Sequence, residues 1–283
     1  MAGVGILGLP NVGKTTLFNA LTGLEAVTAP HPFSTTEPNV GVARIPDPML
    51  ERGCAAEGCG KTVYATLELL DLPAMAGPGH GGMAARFIGR LREEEVLAVV
   101  LRAFEDESVP SDESGTDPLH QAETLLLELT LADAEVFSRR AEKAAKEASA
   151  DRSLKGAADA FAKAAAVLEE GHPLRAQSWS DGELAVFRDL APLTLKPAVW
   201  VINVAEEEPD ADRMVAALEE AVPAGDTVVA LSAELEEEAS RLDPEDRAEF
   251  FEGFGLGEGA LTRVVHATYE ALGVISFYTL GPK

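Results

Sequence analysis

The chain is poor in cysteine, in positive charge and in long apolar runs. Its 283 residues include 2 cysteines, and 23 Lys+Arg stand against 48 Asp+Glu for a net charge of -25. Two cysteines cannot build a disulfide scaffold and fit a reducing compartment. Cys54 and Cys59 have the spacing of half a zinc site, but no second Cys/His pair with ligand spacing follows, so they read as ordinary loop thiols. No apolar run approaches a membrane span, and the N-terminus lacks a basic segment followed by a signal-like stretch. The expected location is the cytoplasm, without a membrane partner. The acidity argues against a broad nucleic-acid surface, which needs a basic footprint, but leaves room for a local basic patch.

What is present is a complete phosphate loop. Residues 8–15 read GLPNVGKT, which fits G-x-x-x-x-G-K-[ST]. The apolar run Val4–Leu7 precedes it, and Thr16–Leu21 follows with helical spacing. Strand, Gly-rich loop and helix together are the context in which this pattern becomes a phosphate site. Backbone N–H groups of Asn11, Val12, Gly13, Lys14, Thr15 and Thr16, at the positive end of the new helix, would wrap the phosphates. Lys14 would reach the β- and γ-phosphates, and the Thr15 hydroxyl would hold Mg²⁺. The pattern implies a nucleoside-triphosphate binder.

Strand candidates recur with helices between them: 4–7, 62–70, 96–103, 197–203 and 226–231, with 40–45 as an edge strand. This alternation predicts an α/β fold with a mostly parallel sheet, in which ligands sit at the carboxyl ends of strands. Between the strands at 96 and 197 the character changes. Ala122, Leu125, Leu129, Ala132 and Val136 recur at three- and four-residue steps, and Leu154, Ala158, Phe161, Ala165 and Leu168 repeat the pattern beyond a polar turn at 149–153. Two facing stripes give an antiparallel coiled-coil hairpin, an arm of roughly 45 Å if it projects rather than folding back on the sheet. The expected organisation is a G domain in two parts, 1–116 and 197–283, around a helical insertion at 117–196. The run Val274–Thr279 reads as a final strand.

The remaining nucleotide machinery is read position by position. Thr35, or its neighbour Thr36, lies where a switch threonine would complete the Mg²⁺ shell. Asp71 ends an apolar strand and would hold Mg²⁺ through water. Ala74 stands where a switch normally has glycine, keeping the N–H but losing positive φ. Met75 occupies the place of the water-orienting glutamine, so water placement falls to His80 or to another group; a solvent-facing His80 is the plainer alternative. Asn203 matches the first residue of the base-reading Asn-Lys-x-Asp motif, but Glu206 replaces its aspartate. A carboxylate one methylene longer cannot pair with guanine in the same bidentate way, which favours adenine unless this loop makes no base contact. Ser232 and Ala233 fill the position where a backbone N–H commonly meets the base.

With these residues in hand a resemblance follows. GLPNVGKTTLFNALT, PFSTTEPNVGVARIPDP, FEDESVP, ELTLADAEVFSRR, the NVAE segment and the ending FGLGEGALTRVVHATYEALGVISFYTLG resemble, in order and along essentially the whole chain, the YchF family of Obg-like ATPases. The resemblance implies a ribosome-associated enzyme that prefers ATP over GTP, with ribosome contact through the hairpin and the G domain. It also implies a hydrophobic residue in place of the catalytic glutamine, matched by Met75, and, by analogy with potassium-activated relatives, K⁺ near Asn11. Two departures stand out: the DLPA segment in place of D-x-x-G, with a following loop about two residues short, and a family β-grasp domain of the TGS type that does not follow Lys283. The first leaves a hydrolysis-impaired, nucleotide-gated binding module as the alternative to a slow ATPase. A GTP-specific GTPase is the third reading.

Overall fold

Six runs rich in Val, Leu and Ile pair into one sheet of order β2-β3-β1-β4-β5-β6. The strands are β1 (Ala2–Leu7), β2 (Asn39–Arg44), β3 (Thr66–Asp71), β4 (Val96–Ala103), β5 (Ala198–Val204) and β6 (Thr227–Leu231). All neighbours are parallel except the edge pair β2–β3. The structure, a computed structural model, describes residues 2–26, 38–45, 47–73, 85–106, 115–254 and 259–281. Side chains alternate faces along a strand, so the continuous burial of β5 and of all but the last residue of β4 means that both faces of the sheet are covered there. The described helices are α1 (Lys14–Thr22), α2 (Pro48–Glu57), α3 (Ala85–Glu93), α4 (Pro118–Ala150), α5 (Lys155–Glu169), α6 (Asp181–Phe187), α7 (Ala211–Ala221), α8 (Ala233–Ser240), α9 (Pro244–Gly253) and α10 (Leu261–Ala271). Among the described residues, no helix is long and apolar enough to cross a membrane.

The mixed, mostly parallel α/β sheet and the strand at 40–45 agree with the reading of the sequence, whereas several boundaries move. Residues 62–65 and Pro197 lie outside their strands. Asp226 precedes β6 because its buried carboxylate is used elsewhere, accepting from the Ala198 N–H, the Trp200 indole N–H and the Arg175 guanidinium. Residues 274–279 form no strand. Ile275 and Phe277 there are 86% and 85% exposed, and alternation alone cannot make a strand without a paired edge. Cys54 sits on α2 rather than in a loop, with Cys59 just beyond the helix end.

The largest correction concerns α4. Ala122, Leu125 and Leu129 pack into the sheet core rather than against α5. Only beyond them does the helix enter a second core, where Phe137, Ala144, Ala158, Phe161, Ala164, Leu168 and Phe187 gather. The seam runs through Asp133 and Phe137, which are buried, instead of Ala132 and Val136, which are half-buried. Leu154 is 41% exposed. The length beyond Asp133 is therefore ~27 Å, not 45 Å. Asp133 explains the shift. Its Oδ1 accepts from the Arg92 guanidinium (2.7 Å) and the Leu193 N–H (3.1 Å), and its Oδ2 accepts from the Thr194 N–H and hydroxyl, both at 2.8 Å. A carboxylate can occupy a core position when each oxygen is satisfied in this way.

Candidate nucleotide site

The phosphate loop is shaped by two close approaches that only glycine allows. A Cβ at Gly8 would fall 2.4 Å from the Val100 carbonyl oxygen of β4. Gly13 has φ 93, and a Cβ there would fall 2.2 Å from Asn203 Nδ2. The loop thus leaves β1, turns tightly against β4 and enters α1 under the Asn203 side chain. No side chain caps the start of α1, and its first turn carries no acid. Its leading N–H groups and dipole therefore remain available to an anion.

Lys14 is buried, and its ammonium donates to the Leu9 carbonyl at 2.7 Å. Across the loop, the Thr15 hydroxyl donates to Asp71 Oδ2 at 2.9 Å, and Asn39 Nδ2 donates to the same oxygen at 3.0 Å. Asp71 ends β3 beside Ile6 of β1, which brings its carboxylate to the mouth of the loop. Burial pushes the Asp71 carboxyl above the ordinary range, opposed by the Asn39 and Thr15 hydrogen bonds and by the Lys14 charge. Its Oδ1 is buried without a hydrogen-bond partner among the described residues. An orphaned carboxylate oxygen next to a threonine hydroxyl is an all-oxygen donor set suited to a hard divalent cation, so the residues fit Mg²⁺.

Asn203 ties the base side of the site to the phosphate side. Its Nδ2 donates to the Val12 carbonyl at 3.0 Å, and its Oδ1 accepts the Ala233 N–H at 2.9 Å. Ser232 caps α8 by accepting from the Leu235 N–H. Glu206 is exposed in the turn after β5. The structure therefore brings together Asn11 to Thr16, Asp71, Asn203, Ser232 and Ala233 along the carboxyl edge of the sheet. Thr35, Thr36, Ala74, Met75 and His80 lie outside the described residues. Reading the sequence missed Asn39, whose only signal was its place at the start of the edge strand. It also missed Arg102, a charged residue inside an apolar run.

A family profile described as "50S ribosome-binding GTPase" matches residues 3–132. The "Ribosome-binding ATPase YchF" of Bacillus subtilis (strain 168) is 33% identical over 287 residues, covering 99% of this chain and 78% of that protein. Its namesake from Escherichia coli O157:H7 is 35% identical over 283 residues, with the same coverage. The solved structure of the Schizosaccharomyces pombe YchF GTPase superimposes with a TM-score of 0.82 at 26% identity, over 99% of this chain and 78% of that one. The fold is that of the P-loop GTPases, and the chain belongs to the YchF family.

Proposed function

We propose that this chain is a Mg²⁺-dependent ATPase whose nucleotide state governs binding to the ribosome. The observation that carries the chemistry is the buried, unpartnered Asp71 Oδ1 beside the Thr15 hydroxyl at the start of an uncapped helix. Lys14 would leave the Leu9 carbonyl for the β- and γ-phosphates, and the N–H groups of residues 11–16 would hold the phosphate oxygens. Bound Mg²⁺ would neutralise charge developing on the phosphates, with Thr15 and Asp71, and Thr35 from the switch segment, as the residues that hold it. K⁺ near Asn11 belongs to this reading as a second charge on the transferring group. Met75 cannot take a proton or orient water by hydrogen bonding, so slow intrinsic turnover is expected, with His80 as the nearby titratable group.

The ribosome reading is supported by the names of the relatives and by a local reversal of charge. Residues 139–163 carry Arg139, Arg140, Lys143, Lys146, Arg152, Lys155 and Lys163 against Glu142, Glu147, Asp151 and Asp159, in a chain whose net charge is -25. This basic segment spans the distal part of α4 and α5, which supports the hairpin (within the proposed 117–196 insertion) as a ribosome-facing surface, with the G domain as the second surface of this reading. ATP preference rests on Glu206 in place of the guanine-reading aspartate.

Calorimetry with ATP and GTP analogues side by side, in Mg²⁺, tests the reading. Tighter ATP binding is expected, lost in Lys14→Ala; GTP preference would return the chain to the ordinary GTPases. The DLPA segment favours one second reading, a nucleotide-gated binder without useful hydrolysis. Single-turnover assays with and without K⁺ and ribosomes separate the two, since any stimulated turnover rejects the pure binder.

A further inference from the structure

Arg102, near the end of β4, is 2% exposed although it carries a full charge. Its Nε donates to the Phe104 carbonyl at 3.1 Å and its Nη1 to the Asn11 carbonyl at 3.4 Å, while its guanidinium carbon lies 4.4 Å from the centroid of the Phe104 ring. The backbone of Arg102 is held from the other side. Gln121 of α4, itself 1% exposed, accepts the Arg102 N–H through Oε1 and donates to the Arg102 carbonyl through Nε2, both at 2.8 Å. A side-chain amide thus satisfies both backbone groups of one strand residue. The phosphate chemistry above makes no use of Arg102.

Asn11 has φ 58, a left-handed conformation that asparagine tolerates better than most residues with a Cβ and that a contact to its carbonyl helps to hold. Its carbonyl is the group that Arg102 grips, and the N–H groups that would meet the phosphates follow directly in the chain. We propose that Arg102 is a positioning residue of the phosphate loop, and that Gln121 sets Arg102, so that the seating of α4 is felt at the phosphates. This inference rests on the phosphate-loop reading given under the proposed function. α4 is one unbroken helix from Gln121 to the hairpin tip, and a rigid packed element of this kind is a physical carrier of coupling between sites.

The test is calorimetric titration of the full chain with a non-hydrolysable ATP analogue in Mg²⁺, for wild type, Arg102→Met, Arg102→Lys, Gln121→Leu and the Arg102→Met/Gln121→Leu double variant. Each is measured at a temperature where its melting curve shows it folded. Arg102→Met is expected to weaken binding about tenfold, the scale of a lost hydrogen bond to a charged group. Arg102→Lys should fall between, because an ammonium cannot reproduce the guanidinium fork that reaches both carbonyls. Gln121→Leu should weaken binding by a smaller factor, and the double variant should be no worse than Arg102→Met alone, since Gln121 acts through Arg102. A merely structural Arg102 would lower the melting temperature and leave the affinity of the folded protein unchanged. Arg102→Met binding within twofold of wild type overturns the proposal. If that variant does not fold, unchanged affinity in both Arg102→Lys and Gln121→Leu overturns it equally. A wild-type chain that binds neither ATP nor GTP overturns the phosphate-loop reading itself, and this proposal with it.

Discussion

Asp71 shows how one residue can be set against the fold that holds it. Its carboxylate is buried at the mouth of the phosphate loop with one oxygen unpartnered among the described residues, and burial raises its pKa. A raised carboxyl pKa means that the folded state favours the protonated form. The cost of charge is absent below the ordinary carboxyl range and is reached in full as pH rises through the raised value. Asp71→Asn removes the charge and keeps an acceptor for Thr15 or Asn39. The variant should melt higher than wild type without nucleotide, by roughly 2–4 °C, and should lose the Mg²⁺-dependent part of its nucleotide affinity. Calorimetry with and without Mg²⁺ checks both halves, and a lower melting temperature would remove the account of Asp71 as strained in waiting. Legibility at this scale followed local motif logic. The meeting of Lys14, Thr15, Asp71 and Asn203 at one edge of the sheet was readable because each stands at the end of a recognisable strand or loop motif. Asn39, Gln121 and Asp133 were not, because a polar residue's use as an internal linker depends on which distant backbone comes to face it.

At the scale of elements, α4 belongs to two cores at once. Its first half packs on β4 and α7, and its second half packs on α5 beside a cluster of Phe137, Phe161 and Phe187 with Trp179 at its edge. Asp133 sits where the two meet, tied to α3 through Arg92 and to the turn at 193–195. Asp133→Ala leaves the buried Leu193 and Thr194 N–H groups without their acceptor, while the half-buried Arg92 keeps the Ala132, Leu190 and Ala191 carbonyls, and should cost about 3 kcal/mol at roughly 1–3 kcal/mol for each unmet buried donor. The chain's two tryptophans report the halves separately, since Trp200 lies in the sheet core and Trp179 against the hairpin core. Urea titrations of Asp133→Ala in Trp179→Phe and Trp200→Phe backgrounds should show the Trp179 signal changing at lower urea than the Trp200 signal. Coincident transitions would mean that the hairpin has no separate opening. The sequence announced the helices and the α5 side of their seam, where Ala158, Phe161, Ala165 and Leu168 are buried, but misplaced the α4 side, since its apolar spacing fits either face and only the sheet decides which residues it takes. The strands were clearer: an unbroken apolar run such as 96–101 has few alternatives.

For the molecule as a whole, the net charge of -25 sets the background against which every local contact acts. Like charges repel more in the compact state than in the unfolded one, and added salt shortens the range of that repulsion from about 30 Å at 0.01 M to 3 Å at 1 M. The melting temperature of the nucleotide-free chain should therefore rise with NaCl over this range; calorimetric scans that show a fall would mean that paired surface charges outweigh the excess. The basic stretch at 139–163 is displaced from the acidic bulk along α4, and the continuity of that helix across two cores has a geometric consequence. Leu129 is committed to the sheet and Phe137 to the hairpin, so the number of residues between them fixes the compass bearing of the arm. One residue inserted there would swing the distal half through about 100° about the helix axis, and beyond the insertion point it would carry Asp133 away from Arg92 and Thr194 unless it falls after Asp133. Seven would lengthen the arm by ~10 Å and return it to within ~20° of its original heading. Because the chain returns along α5 to β5, the arm can change its reach in heptad steps without changing where it points when both helices gain the same length.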